Sequence, residues 1–437
     1  MSCRLSRCRA SLCRSTIEGR SRRGPETGWP EPTGSPPCAR ARGRRRSARE
    51  TAGTRPRPVR GGPGCATPGG GGQWDHRPAR TRGSFCDGPY ERDRAASRGP
   101  ARRTGVRRPP RRRILVTTRR QPPPVPPHGV PPALSEADFR SLYDRLRAHG
   151  PPGHGDRPGA LRHLTPERVV AAAAGVREGR TVSLAAPVQT ESTPDNAQPA
   201  SHRITAPAPG EADAPGLHFA RDRFAMNVHG DVDSHLDALC HVMFDGELYG
   251  GVPADTVTPD GAGALTLDLV KDGIVGRGVL LDVPRLRGVP WLEPGDQVTA
   301  ADLEGAEAAQ HVRAGPGDLL FVRVGHRLRR RSLGAWDTAR ARAGLHPAAM
   351  ELLAERRVAV LGSDGNNDAA PSAVAEVPFP VHVLAVNALG MHLLDYLDLD
   401  PLASECERLG RRHFLCVVAP LRLPAATGSP VNPVAVL

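Results

Sequence analysis

Residues 226–251 read Met-Asn-Val-His-Gly-Asp-Val-Asp-Ser-His-Leu-Asp-Ala-Leu-Cys-His-Val-Met-Phe-Asp-Gly-Glu-Leu-Tyr-Gly-Gly. Within thirteen residues this stretch contains six side chains of metal-binding type: His229, Asp231, Asp233, His235, Asp237 and His241. All six are odd-numbered, so an extended backbone would carry them on one face. The even positions would then turn apolar side chains toward a core: Val228, Val232, Leu236 and Val242. Because imidazole and carboxylate are ligands for Zn²⁺ and Mn²⁺, the pattern predicts the floor of a metal site. The alternative is a solvated edge strand with incidental histidines.

Segments on both sides of this stretch alternate between helix and strand patterns. Helices are predicted over 135–147, 165–179, 299–309 and 347–355, and Ser135, Thr165 and Thr299 are the expected capping residues of the first three. Strands are predicted over 181–185, 279–283, 318–324, 358–361 and 414–421, whereas the apolar segment 381–388 fits either type. Residues 188–217 are predicted to form a loop that supplies substrate contacts. This order predicts the α/β fold class.

Residues 1–130 differ from the rest of the chain in composition and charge. They contain 31 arginines, no lysine and eight acidic residues, which gives a net charge of +23. Because the whole chain carries +14, residues 131–437 carry −9. Sequence rich in Arg, Gly, Pro and Ser buries too little apolar area to offset the entropy cost of folding. We therefore predict a disordered basic extension with a Pro-rich linker over 1–130, and one folded domain over 131–437.

Cysteine usage and hydropathy indicate the cellular compartment of the protein. Six cysteines lie in 1–130 without paired CxxC spacing, and three lie in 131–437, which suits free thiols in a reducing environment. The chain has no run of 18 apolar residues and no apolar secretory segment near its N-terminus. These features predict a cytoplasmic protein without a membrane partner.

Common catalytic motifs are missing from the sequence. It has no GxSxG element of a serine hydrolase, no GxxxxGK phosphate loop, and no GxGxxG after a predicted strand. Instead, residues 229–241 resemble the ligand motif of the metal-dependent cyclase superfamily, which includes bacterial kynurenine formamidases and isatin hydrolases. The family pattern is HxGTHxDxPxH, and His235, Asp237 and His241 match its second His, its Asp and its last His. Ser234 replaces its Thr.

The match departs from this pattern at three positions. Asp231 stands at the first His, Asp233 at the Gly and Leu239 at the Pro. A branch of the family with the pattern HGxxxTHLDALxH is closer, because His229 and the glycine after it supply its opening pair. The resemblance therefore leaves open whether His229 or Asp231 completes the ligand set.

The resemblance extends from about residue 135 to the C-terminus. Residues 322–325 and 360–364 resemble segments that follow two buried strands in the family. His382 resembles the distal ligand His, and Asp395 stands where the family has a ligand Glu. The alternatives for these two residues are a core histidine and a helix-terminal charge.

The resemblance implies a swivelling β/β/α domain that hydrolyses an amide or a cyclic amide or ester, as an arylformamidase of tryptophan catabolism does. It implies a small-molecule substrate and one or two divalent ions, Zn²⁺ or Mn²⁺, held by His229, His235, Asp237, His382 and Asp395. The metal would activate water, and His241 would shuttle the proton. A family member that binds metal without hydrolase activity is one alternative, and a homodimer is compatible with this interpretation.

The arginine-rich extension allows another functional interpretation. Phosphate contacts by its arginines would support nonspecific nucleic-acid binding. It lacks interleaved aromatic residues for base stacking, and it contains none of the nucleic-acid-binding motifs. We therefore favour the hydrolase over a nucleic-acid partner. Deletion of residues 1–130 separates the two, because a hydrolase keeps its turnover whereas a nucleic-acid binder loses affinity.

Overall fold

The computed structural model describes residues 131–149, 159–206 and 213–437. The strands in these ranges are β1 (Thr181–Ser183), β2 (Ser201–Ala206), β3 (Arg221–Ala225), β4 (His235–Asp237), β5 (Glu247–Leu248), β6 (Val252–Pro253), β7 (Val257–Thr258), β8 (Gly261–Ala262), β9 (Ile274–Asp282), β10 (Gln297–Val298), β11 (Leu319–Arg323), β12 (Gly344–Leu345), β13 (Val360–Ser363), β14 (His392–Asp395), β15 (His413–Val418), β16 (Gly428–Pro430) and β17 (Val434–Val436). The α-helices are α1 (Glu136–Arg147), α2 (Pro166–Ala173), α3 (Val283–Arg287), α4 (Ala300–Ala309), α5 (His326–Leu333), α6 (Ala349–Arg356), α7 (Pro380–His382) and α8 (Asp400–Leu409). Short 3₁₀ helices occur at Gly159–His163, Tyr249–Gly251, Ala254–Thr256 and Leu267–Val270, and a π-helical turn, Val383–Ala388, continues α7.

A nine-stranded mixed sheet organises this part of the chain. Its strand order is β1–β17–β15–β9–β11–β13–β14–β4–β16. Strands β9, β11, β13 and β14 are parallel, and antiparallel strands continue the sheet on both sides. The parallel strands are buried almost throughout, as expected where helices cover both faces of a sheet. The mixed α/β fold predicted from the sequence is confirmed.

Helix α1 connects the first described residues to the loop that follows the His/Asp motif. The Ser135 side chain accepts a hydrogen bond from the backbone N–H of Asp138, which confirms the predicted N-cap. Tyr143 on the buried face donates its hydroxyl to Asn387 of the π-helical turn at 2.7 Å. The Asn387 amide in turn donates to the backbone carbonyls of Val242 and Glu247. This chain of bonds fixes the loop that follows the His/Asp motif.

Three predictions of local structure are wrong, because contacts in the folded chain override the local sequence pattern. The helix predicted over 165–179 ends at Ala173, because the chain turns there and the N–H groups of Glu178 and Gly179 bond to the carbonyl of Leu437. Residues 188–217 contain β2, which pairs with the exposed strand β3. Within residues 226–251 the backbone forms a strand only over β4, so the six side chains of metal-binding type do not share one strand face. The extension and linker predicted over 1–130 lie outside the described residues.

Residues 131–149, 159–206 and 213–437 contain no helix that is long and apolar enough to cross a membrane. The cysteines in these ranges, Cys240, Cys406 and Cys416, are buried and unpaired. Burial raises the pKa of the Cys240 thiol to about 11. The thiol beside the motif is therefore a small buried apolar group and not an activated nucleophile.

Candidate metal centre

Strand β4 supplies the centre of the site. Within it the predicted alternation holds: Leu236 is fully buried on one face, while His235 and Asp237 share the other. The antiparallel register with β14 places Asp395 directly opposite His235. Opposed residues of an antiparallel pair project from the same face, so the sheet itself brings a distant carboxylate to the motif.

Two groups of potential ligands share Asp237. The first consists of His229, His235 and Asp237, and the second of Asp237, His382 and Asp395, each with its ligand atoms within 4.8 Å of one another. Asp237 Oδ1 lies 2.9 Å from His229 Nδ1 and 3.6 Å from His235 Nε2. The other carboxylate oxygen, Oδ2, lies 3.5 Å from His382 Nε2, which is 3.3 Å from Asp395 Oδ2. The structure thus brings together all five residues that the sequence proposes as ligands.

Hydrogen bonds hold both buried histidines with Nε2 toward this centre. His235 Nδ1 pairs with the backbone carbonyl of Asp233 at 2.8 Å, and His382 Nδ1 pairs with the Asp368 carboxylate. Asp368 also accepts from the backbone N–H groups of Val381 and His382, so it caps the start of α7. Outer partners of this kind fix the tautomer and ring orientation of metal-binding histidines.

The second carboxylate, Asp395, is held by amide groups. Asn366 Nδ2 donates to Asp395 Oδ2 at 2.9 Å, and the Asn367 amide donates to Oδ1. These donors bond both oxygens of a carboxylate that is 1% exposed. Asp395 is therefore a buried, hydrogen-bonded member of the site and not a solvated helix-terminal charge.

The electrostatics of the centre fit a cation. Asp237 is 1% exposed, and its Oδ2 atom has no hydrogen-bond partner among the described residues, which is costly for a buried carboxylate oxygen. Burial alone would raise the pKa of Asp237, but His241, His229 and His235 hold it well below its ordinary value. Burial likewise opposes the charged form of His382, yet the Asp395 and Asp368 carboxylates hold its pKa well above the ordinary value. A divalent ion suits this carboxylate-rich, His-lined centre.

His229 and Asp231, the two candidates for the remaining ligand position, make different contacts in the structure. His229 reaches Asp237 from a turn before β4, and its Nε2 lies 3.1 Å from Thr427 Oγ1. A Cβ atom on Gly428 would lie 2.5 Å from His229 Cε1, so only glycine leaves room for this ring. Asp231 instead accepts from the Tyr396 hydroxyl at 3.2 Å and belongs to neither ligand group.

His241 lies beside the ligands and belongs to neither group. Its ring stacks on His229 with centroids 3.6 Å apart and planes inclined by 6°. The ring forms no hydrogen bond with a described residue and lines the cavity. Burial lowers the pKa of His241 to about 4, and the attraction of Asp237 offsets only part of that effect. At neutral pH the ring is therefore uncharged and can accept a proton.

A cavity of about 490 Å³ opens above the centre. Its polar end holds His229, Asp231, His235, His241, Asn366, His382 and Asp395. Its apolar wall consists of Val242, Met243, Phe244, Val377, Pro378, Phe379 and Val383. Phe244 packs against Phe139 and Tyr143 of α1, and Phe379 lies edge-on to His382. An apolar pocket with convergent polar groups at one end is the usual form of a small-molecule site.

Comparisons with known proteins identify the family of this chain. The family model described as "Putative cyclase" matches residues 181–367. A solved structure described as a novel cyclase is 32% identical over 64% of this chain and 95% of its own, with a TM-score of 0.57. The chain belongs to the putative cyclase family. Isatin hydrolase A from Ralstonia solanacearum is 25% identical over 62% of this chain and 97% of its own, with a TM-score of 0.43. The corresponding enzyme from Labrenzia aggregata is 21% identical over 62% and 97%, with a TM-score of 0.43. A search among curated proteins finds no match.

The family match covers only part of the site of this cyclase-family protein. Residues 181–367 include the motif from His229 to His241, but His382 and Asp395 lie beyond them. Sequence reasoning missed Asp368, Asn366 and Asn367, which hold those two residues in place. A signal was present, because residues 364–368 read Asp-Gly-Asn-Asn-Asp directly after a buried parallel strand, where functional groups of α/β sheets collect.

Substitution of Asp368 tests the orientation of His382. We expect Asp368→Asn to weaken binding of Zn²⁺ or Mn²⁺ about 10- to 100-fold, the usual cost of losing a partner that orients a ligand histidine. Asn can still accept from the backbone N–H groups, so the fold should persist. Competition against a chelator measures the affinity, and circular dichroism checks the fold. Asp260→Asn, an exposed surface change, is the control. Equal metal affinity in both variants would show that Asp368 only caps α7.

Proposed function

We propose that this protein is a metal-dependent hydrolase of an amide or a cyclic amide or ester bond, with an arylformamidase-like substrate of the N-formylkynurenine type. The observation that carries the proposal is the pair of His/Asp groups that share Asp237 at the polar end of an aromatic-walled cavity. The sequence resemblance to kynurenine formamidases supports the choice of bond. Hydrolysis of N-formylkynurenine itself would place the protein in tryptophan catabolism.

The chain's own residues divide into those that hold the ion and those that act on substrate. His229, His235 and Asp237 would hold one divalent ion, Zn²⁺ or Mn²⁺, and Asp237, His382 and Asp395 would hold a second. A bound ion supplies Lewis acidity, which lowers the pKa of water and polarises a carbonyl group. Asn366 and Asp368 keep the ligands oriented through the bonds described above.

His241 would move the proton. Its ring nitrogens lack protein partners among the described residues, and the ring faces the cavity next to the ligands. It would accept a proton from the attacking water and return it to the leaving nitrogen. A neutral imidazole suits the first step because it has an unprotonated ring nitrogen that can accept a proton, and the imidazolium so formed can donate that proton again.

The apolar wall would bind the acyl or aryl part of the substrate. The Phe244 and Phe379 rings provide aromatic surface above the ligands, and a cavity of about 490 Å³ corresponds to a sphere roughly 10 Å across. A single aromatic ring with an amide substituent fits this space. Aromatic rings prefer offset or edge contacts with such walls.

A metal analysis combined with a substrate screen tests the proposal. We expect the purified chain to contain a divalent ion and to hydrolyse formanilide, and a chelator should abolish turnover until Zn²⁺ or Mn²⁺ is restored. Lactams and isatin-type cyclic amides complete the screen. Stoichiometric metal without turnover of any amide, lactam or ester would instead indicate a metal-binding member of the family without hydrolase activity.

A further inference from the structure

A second cavity, of about 410 Å³, lies at the opposite end of strand β14 from the metal centre. Met391, which precedes β14, lines this cavity, whereas the ligand Asp395 is the last residue of the strand. Four steps of extended chain separate the two residues by roughly 13 Å. The described residues that line this cavity also differ from all those that line the cavity above the metal centre. It is therefore a separate cavity.

The floor of the second cavity is apolar and buried. Val358, Leu389 and Met391 form much of it, and none of them is more than 5% exposed. The backbone N–H of Ala160, another lining residue, donates to the carbonyl of Gly390 at 2.8 Å, which fixes one wall to the segment before β14. A fixed apolar surface of this kind suits the organic part of a small ligand.

The polar part of the lining is mainly cationic, and its arginines lack acidic partners. The Arg162 guanidinium donates to two backbone carbonyls, at 3.0 and 2.9 Å, and these bonds use only two of its five N–H groups. Arg357 is exposed, and within the described residues its side chain forms no hydrogen bond and no ion pair. By contrast, the adjacent Arg356 pairs with Glu307 at 3.0 Å. Donors and charge thus remain available to a ligand in this cavity.

Arg168 and His163 extend the positive region. A Cβ atom on Gly317 would lie 2.9 Å from Arg168 Cδ and 2.4 Å from the carbonyl oxygen of His163, so both residues pack over this glycine. Burial, and after it the charges of Arg162, Arg357 and Arg168, lower the pKa of the lining residue His163 to about 4. The ring is therefore neutral at pH 7, and three arginines act on it together.

The charges around this cavity match a phosphate group. Glu355 is the one acidic residue among the described residues that line it, so three arginines and one glutamate leave a surplus of two positive charges. A phosphate monoester carries about −1.5 to −2 at pH 7, and guanidinium groups fit its oxygens. We propose that this cavity binds a phosphorylated small molecule, with its phosphate at Arg162, Arg168 and Arg357 and its organic part on the buried floor. The site goes beyond the proposed function, because no step of the hydrolysis uses it.

The His163 imidazole gives a readout that is specific to this cavity. Its NMR signals are recorded on the full chain with isotope-labelled histidine and are assigned by comparison with His163→Gln. Phenyl phosphate, the probe, should shift these signals at neutral pH, because its negative charge counteracts that of the arginines. Phosphate bound to a metal ion at the metal centre or to the arginines of residues 1–130 should leave them unchanged. Unchanged His163 signals at millimolar phenyl phosphate would overturn the inference.

The same titration, repeated on matched variants, tests the charges. Arg357→Gln should weaken binding of phenyl phosphate roughly two- to fivefold, the range for an exposed charge pair, whereas Glu355→Gln removes the opposing charge and should strengthen binding by a similar factor. Both residues are exposed, so the fold should persist. Arg340→Gln, an exposed change outside the cavity, is the control and should have no effect. Equal affinity in all four chains would overturn the phosphate assignment.

Two further ligands test the organic part and the charge of the proposed ligand. Inorganic phosphate lacks the phenyl ring and should bind more weakly than phenyl phosphate, because it leaves the apolar floor uncovered. Phenylacetate keeps the ring but carries a single charge, and it should also bind more weakly. Tighter binding of phenylacetate would identify the ligand as a carboxylate and overturn the assignment of a phosphate. Equal binding of inorganic phosphate and phenyl phosphate would overturn the assignment of an organic ligand.

Discussion

Replacing Asp237 by Asn should empty the metal centre and reduce turnover to that of the metal-free protein. Asp237 is the only member that both ligand groups share, with one oxygen toward His229 and His235 and the other toward His382. Asn keeps the size of the side chain but removes its charge, and neutral amides are poor ligands for Zn²⁺. Metal content by mass spectrometry and turnover of formanilide, measured on one sample, check the result.

Asp231→Asn is the matched control for this substitution. Asp231 also lines the cavity and carries the same charge, but it accepts from Tyr396 and lies in neither ligand group. It should keep the metal, whereas His229→Ala should lose part of it. This comparison decides between the two residues that the motif leaves open. Retained metal in Asp237→Asn, or loss of metal in Asp231→Asn, would contradict the ligand set.

The part of the site on β4 is predictable from the sequence because both of its ligand residues lie on one short strand. Alternation in β4 places His235 and Asp237 on one face and buries Leu236 on the other, as the sequence indicates. The same rule fails for His229, because the chain before β4 turns instead of extending. Contact with Gly428, nearly 200 residues later, sets the position of that ring, and period-2 reasoning cannot detect such a contact.

The part of the site that is distant from β4 in the sequence depends on the order of the strands in the sheet. Asp395 lies opposite His235 only because β14 pairs with β4 at the end of a parallel series, and no local pattern specifies that neighbour. The family resemblance proposed His382 and Asp395, but it did not extend to Asp368. That residue orients His382 while capping α7, so its role becomes visible only when the helix is placed. The predicted domain boundary at 130 and the homodimer stay predictions.

His241→Ala should lower turnover by about 10²- to 10⁴-fold, the usual contribution of a positioned acid or base, while the metal stays bound. His241 lies outside both ligand groups, so removing it takes no ligand from the ion. Its ring covers His229 at 3.6 Å, and truncation to Ala leaves a space of imidazole size beside the centre. Added imidazole should enter that space and restore part of the activity. Rescue of this kind requires proton transfer at the vacated position and is not expected from a merely structural role.

Met243→Ala is the control that distinguishes loss of the proton shuttle from a general change in the shape of the cavity. Met243 lines the same cavity two residues away and is 47% exposed, but it has no group that exchanges protons. Its truncation should change KM more than kcat, and imidazole should have no effect on it. Loss of metal in His241→Ala would make His241 a ligand, and full metal with unchanged turnover would remove it from the reaction. A fall in kcat that imidazole reverses only in His241→Ala would assign the proton transfer to this ring.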